Sequence, residues 1–478
     1  MKRFLLALAL ALPLIAQDVT PPPPAAPRDP KIPQSVEKVL DNGLRVIVIP
    51  KHDIPLVAAR LMVKAGGAAD PRGKSGLAEL TATVLTKGTK TRTAEQISRG
   101  VEALGATLAA NARWDSSLVD TSVMSSNLPK AMEYVSDVVR NATFAKDEFE
   151  RDRDQTIDAL QVDLRQPRTL AGATMSRLIF GEAPYGNTLS GTPASIKSLK
   201  REDLVRFHRL YYAPQNSVLV LAGDVEPEAA FALAQKSFGG WTRGTTEVAA
   251  ATQAPKSGGP RVVVVDMPDA GQASVSVGRR GIRRADPAYM QALVANSVLG
   301  GGYSSRLNQE IRIKRGLSYG AGSSFDPRAD VGPFTARTDT KNESAAEVAG
   351  ILVAEMNRLA TADVPDTELT PRKAALIGDF AQSLETTSGI VDAISSLALH
   401  FLPLTDINRY ISGVQTVTPE QVRKFAGTNL GDQPNIVIVG DAKQFIEPLK
   451  KQFGDVEVIK MDELDLSSPT LRVRKAKK

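Results

Sequence analysis

Few side chains in this 478-residue sequence are placed to do chemistry by themselves. The three histidines, His52, His208 and His400, lie far apart, and there is no cysteine. Helical zinc sites of the hydrolytic kind need two imidazoles one turn apart with a carboxylate base between them. No two histidines here have that spacing. The absence of cysteine removes thiolate metal sites, disulfides and a lipoprotein anchor together. Gly300-Gly301-Gly302 does not run on into G-x-x-x-x-G-K-[ST], so a phosphate-cradling loop is excluded. Glu79, Arg312 and Tyr319 therefore gain meaning only from the elements that carry them.

Those elements are written twice. Arg60 to Pro71 has a counterpart in Ser274 to Pro287, each an alternating strand that runs into an Asp-Pro turn. Asn216 to Val225 matches Asn435 to Ala442, and Ser237-Phe238-Gly239 matches Gln452-Phe453-Gly454. The three pairs share about the same offset, which predicts one module repeated in tandem. In the first copy the spacing predicts a hairpin over Val36 to Pro50 turning at Asp41-Asn42-Gly43, and a strand over Leu56 to Val63. It predicts helices over Gly76 to Thr86, Leu128 to Val139, Lys146 to Leu164 and Lys200 to Tyr211. Between them lie strands over Ala106 to Asn111, Ser116 to Val123 and Ser217 to Ala222. Thr93-Ala94-Glu95-Gln96 reads as a capping box opening a helix that buries Ile97 and Val101. The expected class is α+β: two tandem homologous modules, each an antiparallel-type sheet with helices layered on one face. Their expected bounds are 36–248 and 261–462, joined by an Ala-, Pro- and Gly-rich linker at 249–260 and followed by a basic tail at 463–478 that is solvated at its end.

Two segments resemble signatures of the pitrilysin/insulinase (inverzincin) peptidases. Gly76-Leu77-Ala78-Glu79-Leu80-Thr81-Ala82-Thr83-Val84-Leu85-Thr86-Lys87-Gly88-Thr89 is similar to that family's zinc helix, G-L-A-H-x-x-E-H-x-L-x-K-G-T. The frame is kept, but the two histidine positions fall on Glu79 and Thr83 and the catalytic glutamate on Ala82. The family's third ligand, a glutamate on a later helix, falls on Ala159 in Phe149 to Ala159; a one-residue shift would bring Asp158 there instead. Leu299 to Tyr319 is similar to L-G-G-G-x-S-S-R-L-x-x-x-I-R-x-x-x-G-L-x-Y, which places the family's arginine and tyrosine on Arg312 and Tyr319. The resemblance implies that these two bind substrate backbone and stabilise an oxyanion, since preorganised guanidinium and phenol donors in a dry site lower the energy of such a charge.

The resemblance further implies half of a clamshell chamber, with no metal held by this chain. The leading expectation is a zinc-less, non-catalytic subunit of a heteromeric peptidase. Arg312 and Tyr319 would act in trans, zinc would sit in a partner chain with an intact H-x-x-E-H, and the substrate would be an extended or unfolded peptide. Glu79 would line the old metal cavity, or salt-bridge Arg312 or another basic group there. The alternatives are a peptide-holding or structural scaffold, and a peptidase with unusual ligands.

Composition agrees with two ordinary globular cores: 42% hydrophobic, 23% charged. A net charge of +6, spread without interleaved aromatics, argues against nucleic-acid binding. Lys2-Arg3 followed by a short Leu- and Ala-rich run reads as a secretory signal over 1–17, with a Pro-rich leader over 18–35. The expected compartment is outside the cytoplasm, and periplasmic if the source is Gram-negative.

Overall fold

The structure, a computed structural model, describes residues 34–244, 259–431 and 433–473. The expected signal, most of the leader and of the linker, and the last five residues of the tail lie outside the described residues.

Two six-stranded sheets form the frame, with strand orders β1-β2-β6-β3-β5-β4 and β12-β7-β11-β8-β10-β9. In the first sheet these are β1 (Val36–Val39), β2 (Arg45–Pro50), β3 (Leu56–Val63), β4 (Thr107–Ala112), β5 (Ser117–Met124) and β6 (Ser217–Gly223). In the second they are β7 (Val262–Asp266), β8 (Ala273–Arg280), β9 (Ala321–Phe325), β10 (Pro333–Thr340), β11 (Asn435–Gly440) and β12 (Glu457–Lys460). Five strands correspond in order and pairing, as the repeated segments imply. The sixth differs: β1 pairs antiparallel with β2 from the N-terminal hairpin, whereas β12 arrives from the C-terminal end and pairs parallel with β7. The sheets are mixed, since β2 also runs parallel to β6 and β7 to β11.

Helices cover both faces of each sheet, not the single face expected. One face carries helices of its own module, among them Leu77–Leu85, Leu128–Asn141 and Arg201–Tyr211 over the first sheet. The other face receives a helix from the opposite module. Pro167–Phe180 lays Leu170, Met175, Leu178 and Ile179 on Val263, Val265, Val437 and Val439 of the second sheet. Thr387–Leu399 lays Ile390, Val391, Ile394 and Leu397 on Ile47, Ile49, Met62, Leu118, Val218 and Val220 of the first. Doubly covered strands lose the in-out alternation, which is why β6 is buried at every residue.

Polar contacts lock the same exchange. Arg60 on β3 donates at 2.5 Å both to Asp120 on the neighbouring strand and to Asp392 on the incoming helix. Arg328 from the second module stacks over Trp114 and Tyr185 of the first, at 4.5 and 4.6 Å from their ring centres. Tyr185 in turn donates to Asp115 at 2.5 Å. The tail is less free than expected: Leu471 is fully buried, and Arg472 pairs with Glu457 and Glu463 at 3.1 and 2.8 Å.

Candidate functional site

The degenerate helix Leu77–Leu85 is held at its start by a residue outside it. Asp70 accepts from the backbone N–H of Gly76, Leu77 and Ala78 at 2.8, 3.2 and 2.8 Å, filling orphan donors of the first turn. Burial pushes the Asp70 carboxyl up to about 7, while the three amides favour its anion. Gly76 itself has φ +92°, and a Cβ there would stand 2.5 Å from Ile196 Cδ1. The frame that the sequence preserves is therefore a folding requirement of this turn, independent of any metal.

Inside the frame each metal position is occupied by something else. Glu79 turns its carboxylate to the edge of the first sheet and accepts from Ala112 N–H at 2.6 Å. Burial raises its carboxyl and that amide opposes the rise. The expected alternative, an ion pair with Arg312, is not what Glu79 makes. Ala82 is fully buried in the apolar core, and the Thr83 hydroxyl donates back to the Glu79 carbonyl at 3.0 Å. Ala159 and Asp158 are both exposed on the helix Lys146–Asp163. Among the described residues no group of three or more His, Cys, Asp or Glu stands together as a metal cluster. A tetrahedral zinc with an activated water does not fit these side chains.

The histidines do not converge. His52 bonds Asp224 at 2.8 Å on the surface. His208 is set against the Val139 carbonyl at 2.7 Å and stacks on Tyr212. His400 ends the exchanged helix Thr387–Leu399, in a cavity of about 180 Å³ between the modules. Burial, aided by the charge of Arg284, pushes its imidazole from the usual 6.5 down to about 4.

In the second module the glycine-rich turn lets β9 approach closely, since a Cβ on Gly300 would stand 2.2 Å from Ser323 N. The following segment, Arg306–Ile313, is helical and widens into a π turn over Gln309–Ile313, a feature frequent at functional sites. Arg306, at 5% exposure, makes a bidentate fork to Glu368 with both bonds at 2.8 Å. Its part in the motif is structural. Arg312 leaves the π turn half-buried, with its guanidinium 5.0 Å above the Tyr303 ring. Tyr319 is 90% exposed on a segment fixed from below, where Thr338 and Thr340 donate to Ser318 Oγ and the Leu317 carbonyl, both at 2.6 Å.

Tyr319 lines a cavity of about 1140 Å³ bounded also by Arg168, Arg315, β9 and the outer face of β10. Arg312 is not part of that lining, and among the described residues no hydrogen bond, ion pair or ring contact joins it to Tyr319 or to Glu79. Two donors on the edge of β9 are already taken: Ser323 N–H donates to Gly300 O at 3.1 Å and Ala321 N–H to Asn308 Oδ1 at 3.3 Å. Sequence reasoning missed Asp70, Tyr303 and both exchanged helices. Of these, only the Gln166-Pro167 start and the sparsely charged run after it carried a local signal.

Residues 45–193 match the family described as "Insulinase (Peptidase family M16)", and residues 198–376 match "Peptidase M16 inactive domain". The chain is similar to an uncharacterized zinc protease of Mycobacterium tuberculosis, 28% identical over 421 residues, 87% of this chain and 96% of that protein. Among solved structures it is similar to a peptidase M16 inactive domain from Pseudomonas fluorescens, with TM-score 0.80 and 26% identity over 85% of this chain and 98% of that one. A protease from Helicobacter pylori shares the fold, with TM-score 0.81 and 23% identity over 85% and 100%. The two profiles span most of the chain, and the two sheets and the Leu299–Tyr319 signature agree with them. The chain belongs to the peptidase M16 (pitrilysin/insulinase) family, as a member whose zinc helix has lost both histidines and the catalytic glutamate.

Proposed function

We propose that this chain is the non-catalytic subunit of a zinc peptidase, presenting Tyr319 and Arg312 to a peptide held at the metal centre of a homologous partner with an intact H-x-x-E-H. The observation that carries this is asymmetry between the two halves. On the old metal helix the residues at the two lost histidine positions are turned to internal use, with Glu79 accepting from the Ala112 amide and the Thr83 hydroxyl donating to the Glu79 carbonyl. Tyr319 is instead held out, nearly fully exposed, over a large cavity. A phenol kept there on a rigid segment is a donor in search of an acceptor, and an oxyanion on a bound peptide supplies one.

The proposal includes export by the N-terminal segment, so that the pair works outside the cytoplasm. Pull-down of the tagged chain from its native host, with zinc and peptidase assays on the eluate, is the test. Recovery of a zinc-bearing homologue whose activity depends on this chain supports the reading. A chain that recovers no homologue, in a host whose zinc-bearing relative is fully active alone, overturns it. Fractionation that leaves the chain in the cytoplasm overturns the export part alone.

A structural scaffold is favoured by one specific observation: two bonded donors on the edge of β9, together with the capped Ala112 amide, leave fewer backbone groups for strand addition by a peptide. Peptide-binding measurements separate the two.

A further inference from the structure

The cavity beside Tyr319 has a charge pattern that neither family motif includes. Along the outer face of β10 the residues Thr335, Arg337 and Asp339 alternate with buried Phe334, Ala336, Thr338 and Thr340. Lys341, still extended at φ −62° and ψ 147°, continues that outer row. Asp339 is neutralised by Arg168, which donates to it at 2.8 Å, and Arg315 is tied to Glu310 at 2.5 Å. Arg337 and Lys341 are different: both are exposed, and among the described residues neither has an ion pair or side-chain hydrogen bond. The lining carboxylate outside these pairs is Glu343, exposed just beyond Lys341. The wall therefore carries a surplus of positive charge beside an exposed phenol.

The spacing of the two free cations fixes what they suit. Residues four apart in an extended chain are separated by roughly 13 Å, at about 3.3 Å per residue. An extended peptide lying along the wall repeats the same distance between its own side chains four apart. With two donors of the β9 edge already taken, such a peptide is held mainly by its side chains.

We infer that this cavity selects peptides carrying two acidic side chains four residues apart, one carboxylate at Arg337 and the other at Lys341. The inference rests on the reading of the cavity as a peptide-binding wall. No chemistry is asked of these two residues: they set which peptide is presented, and Tyr319 lies beside them.

The test is fluorescence anisotropy with the mature chain and matched labelled peptides bearing Glu, Gln or Lys at positions i and i+4, in low salt. The Glu pair is expected to bind about tenfold more tightly than the Gln pair, the size that two partly exposed ion pairs supply, with the gap narrowing in high salt. A Glu pair moved to i and i+1 should lose most of the gain. The double variant Arg337→Glu, Lys341→Glu, checked for an unchanged circular dichroism spectrum, should prefer the Lys peptide. Arg337→Gln with Lys341→Gln, which only removes charge, should bind all three peptides alike. Equal binding of all three by the unaltered chain overturns this inference and leaves peptide binding standing. Failure of every peptide to bind, alone or with a zinc-bearing partner, overturns the peptide reading itself.

Discussion

Acidification should weaken the join between the two modules through His400. This imidazole sits where the exchanged helix ends, in a cavity shared with Arg60, Arg113, Asp115, Asp326, Arg328 and Asp392. Its folded value, about 4, lies below the 6.5 of a free histidine, so the unfolded chain binds the proton more readily. The sign follows: stability is complete above about pH 6.5 and falls as the pH drops toward 4. At pH 5 the linkage amounts to about 2 kcal/mol, and it grows to about 3 kcal/mol at pH 4, set by a depression of some two and a half units. Carboxylates titrate over the same range, so the informative quantity is a difference. Urea unfolding of the native chain and of His400→Gln, each followed from pH 7.5 to 4.5, isolates it. The native chain should lose about 2 kcal/mol more than the variant by pH 5. Parallel stability profiles would refute the reasoning and mean that His400 is solvated or paired when protonated.

Three further outcomes are expected. The purified chain, dialysed and examined by elemental analysis, should hold no stoichiometric zinc, because Glu79, Ala82, Thr83 and Ala159 supply neither the ligands nor the base; one tightly held zinc per chain would contradict this. With a verified zinc-bearing partner, Arg312→Ala or Tyr319→Phe should lower turnover about tenfold to a thousandfold while assembly persists, and their combination should cost less than the product, since both donors serve one charge; full activity in the double variant would remove the proposed role. Ile394→Ala, which empties a site 2% exposed between the exchanged helix and the first sheet, should destabilise the chain by about 2–5 kcal/mol in urea unfolding, whereas a loss below about 1 kcal/mol would mean that this helix is loosely docked.

What could be read from the residues alone was whatever local pattern decides. The Thr93 capping box, the Asn42-Gly43 turn and the strand Leu56 to Val63 are set locally, and all three appear where expected. The repeat was legible because corresponding strands keep similar residues in corresponding surroundings. Pro167–Phe180 was not, since a helix buried on nearly every side shows no apolar stripe and its partner sheet lies a module away. The site divided in the same way. The motif residues were found, but not which of them face the cavity: Arg306 is spent on Glu368, and Arg312 lies over Tyr303. Nothing in the local spelling of Gly76 to Thr89 says that Glu79 will reach a strand edge thirty-three positions further on.

The reciprocal placement of the two helices makes the order of synthesis matter. When β6 has left the ribosome, the first sheet has all its strands, yet the face bearing Ile47, Ile49, Met62, Val218 and Val220 has nothing to cover it. That face stays bare until the chain has been made past Leu397, while Pro167–Phe180 waits longer still, until β11 has been made. Such long-range closure is slow and leaves sticky intermediates. It also means that two nascent copies can trade these helices with each other, each completing the other's sheet through the same contacts that complete its own. A holding chaperone bound to the nascent chain, and a population of interlocked dimers after refolding at high concentration, are the practical signs to look for.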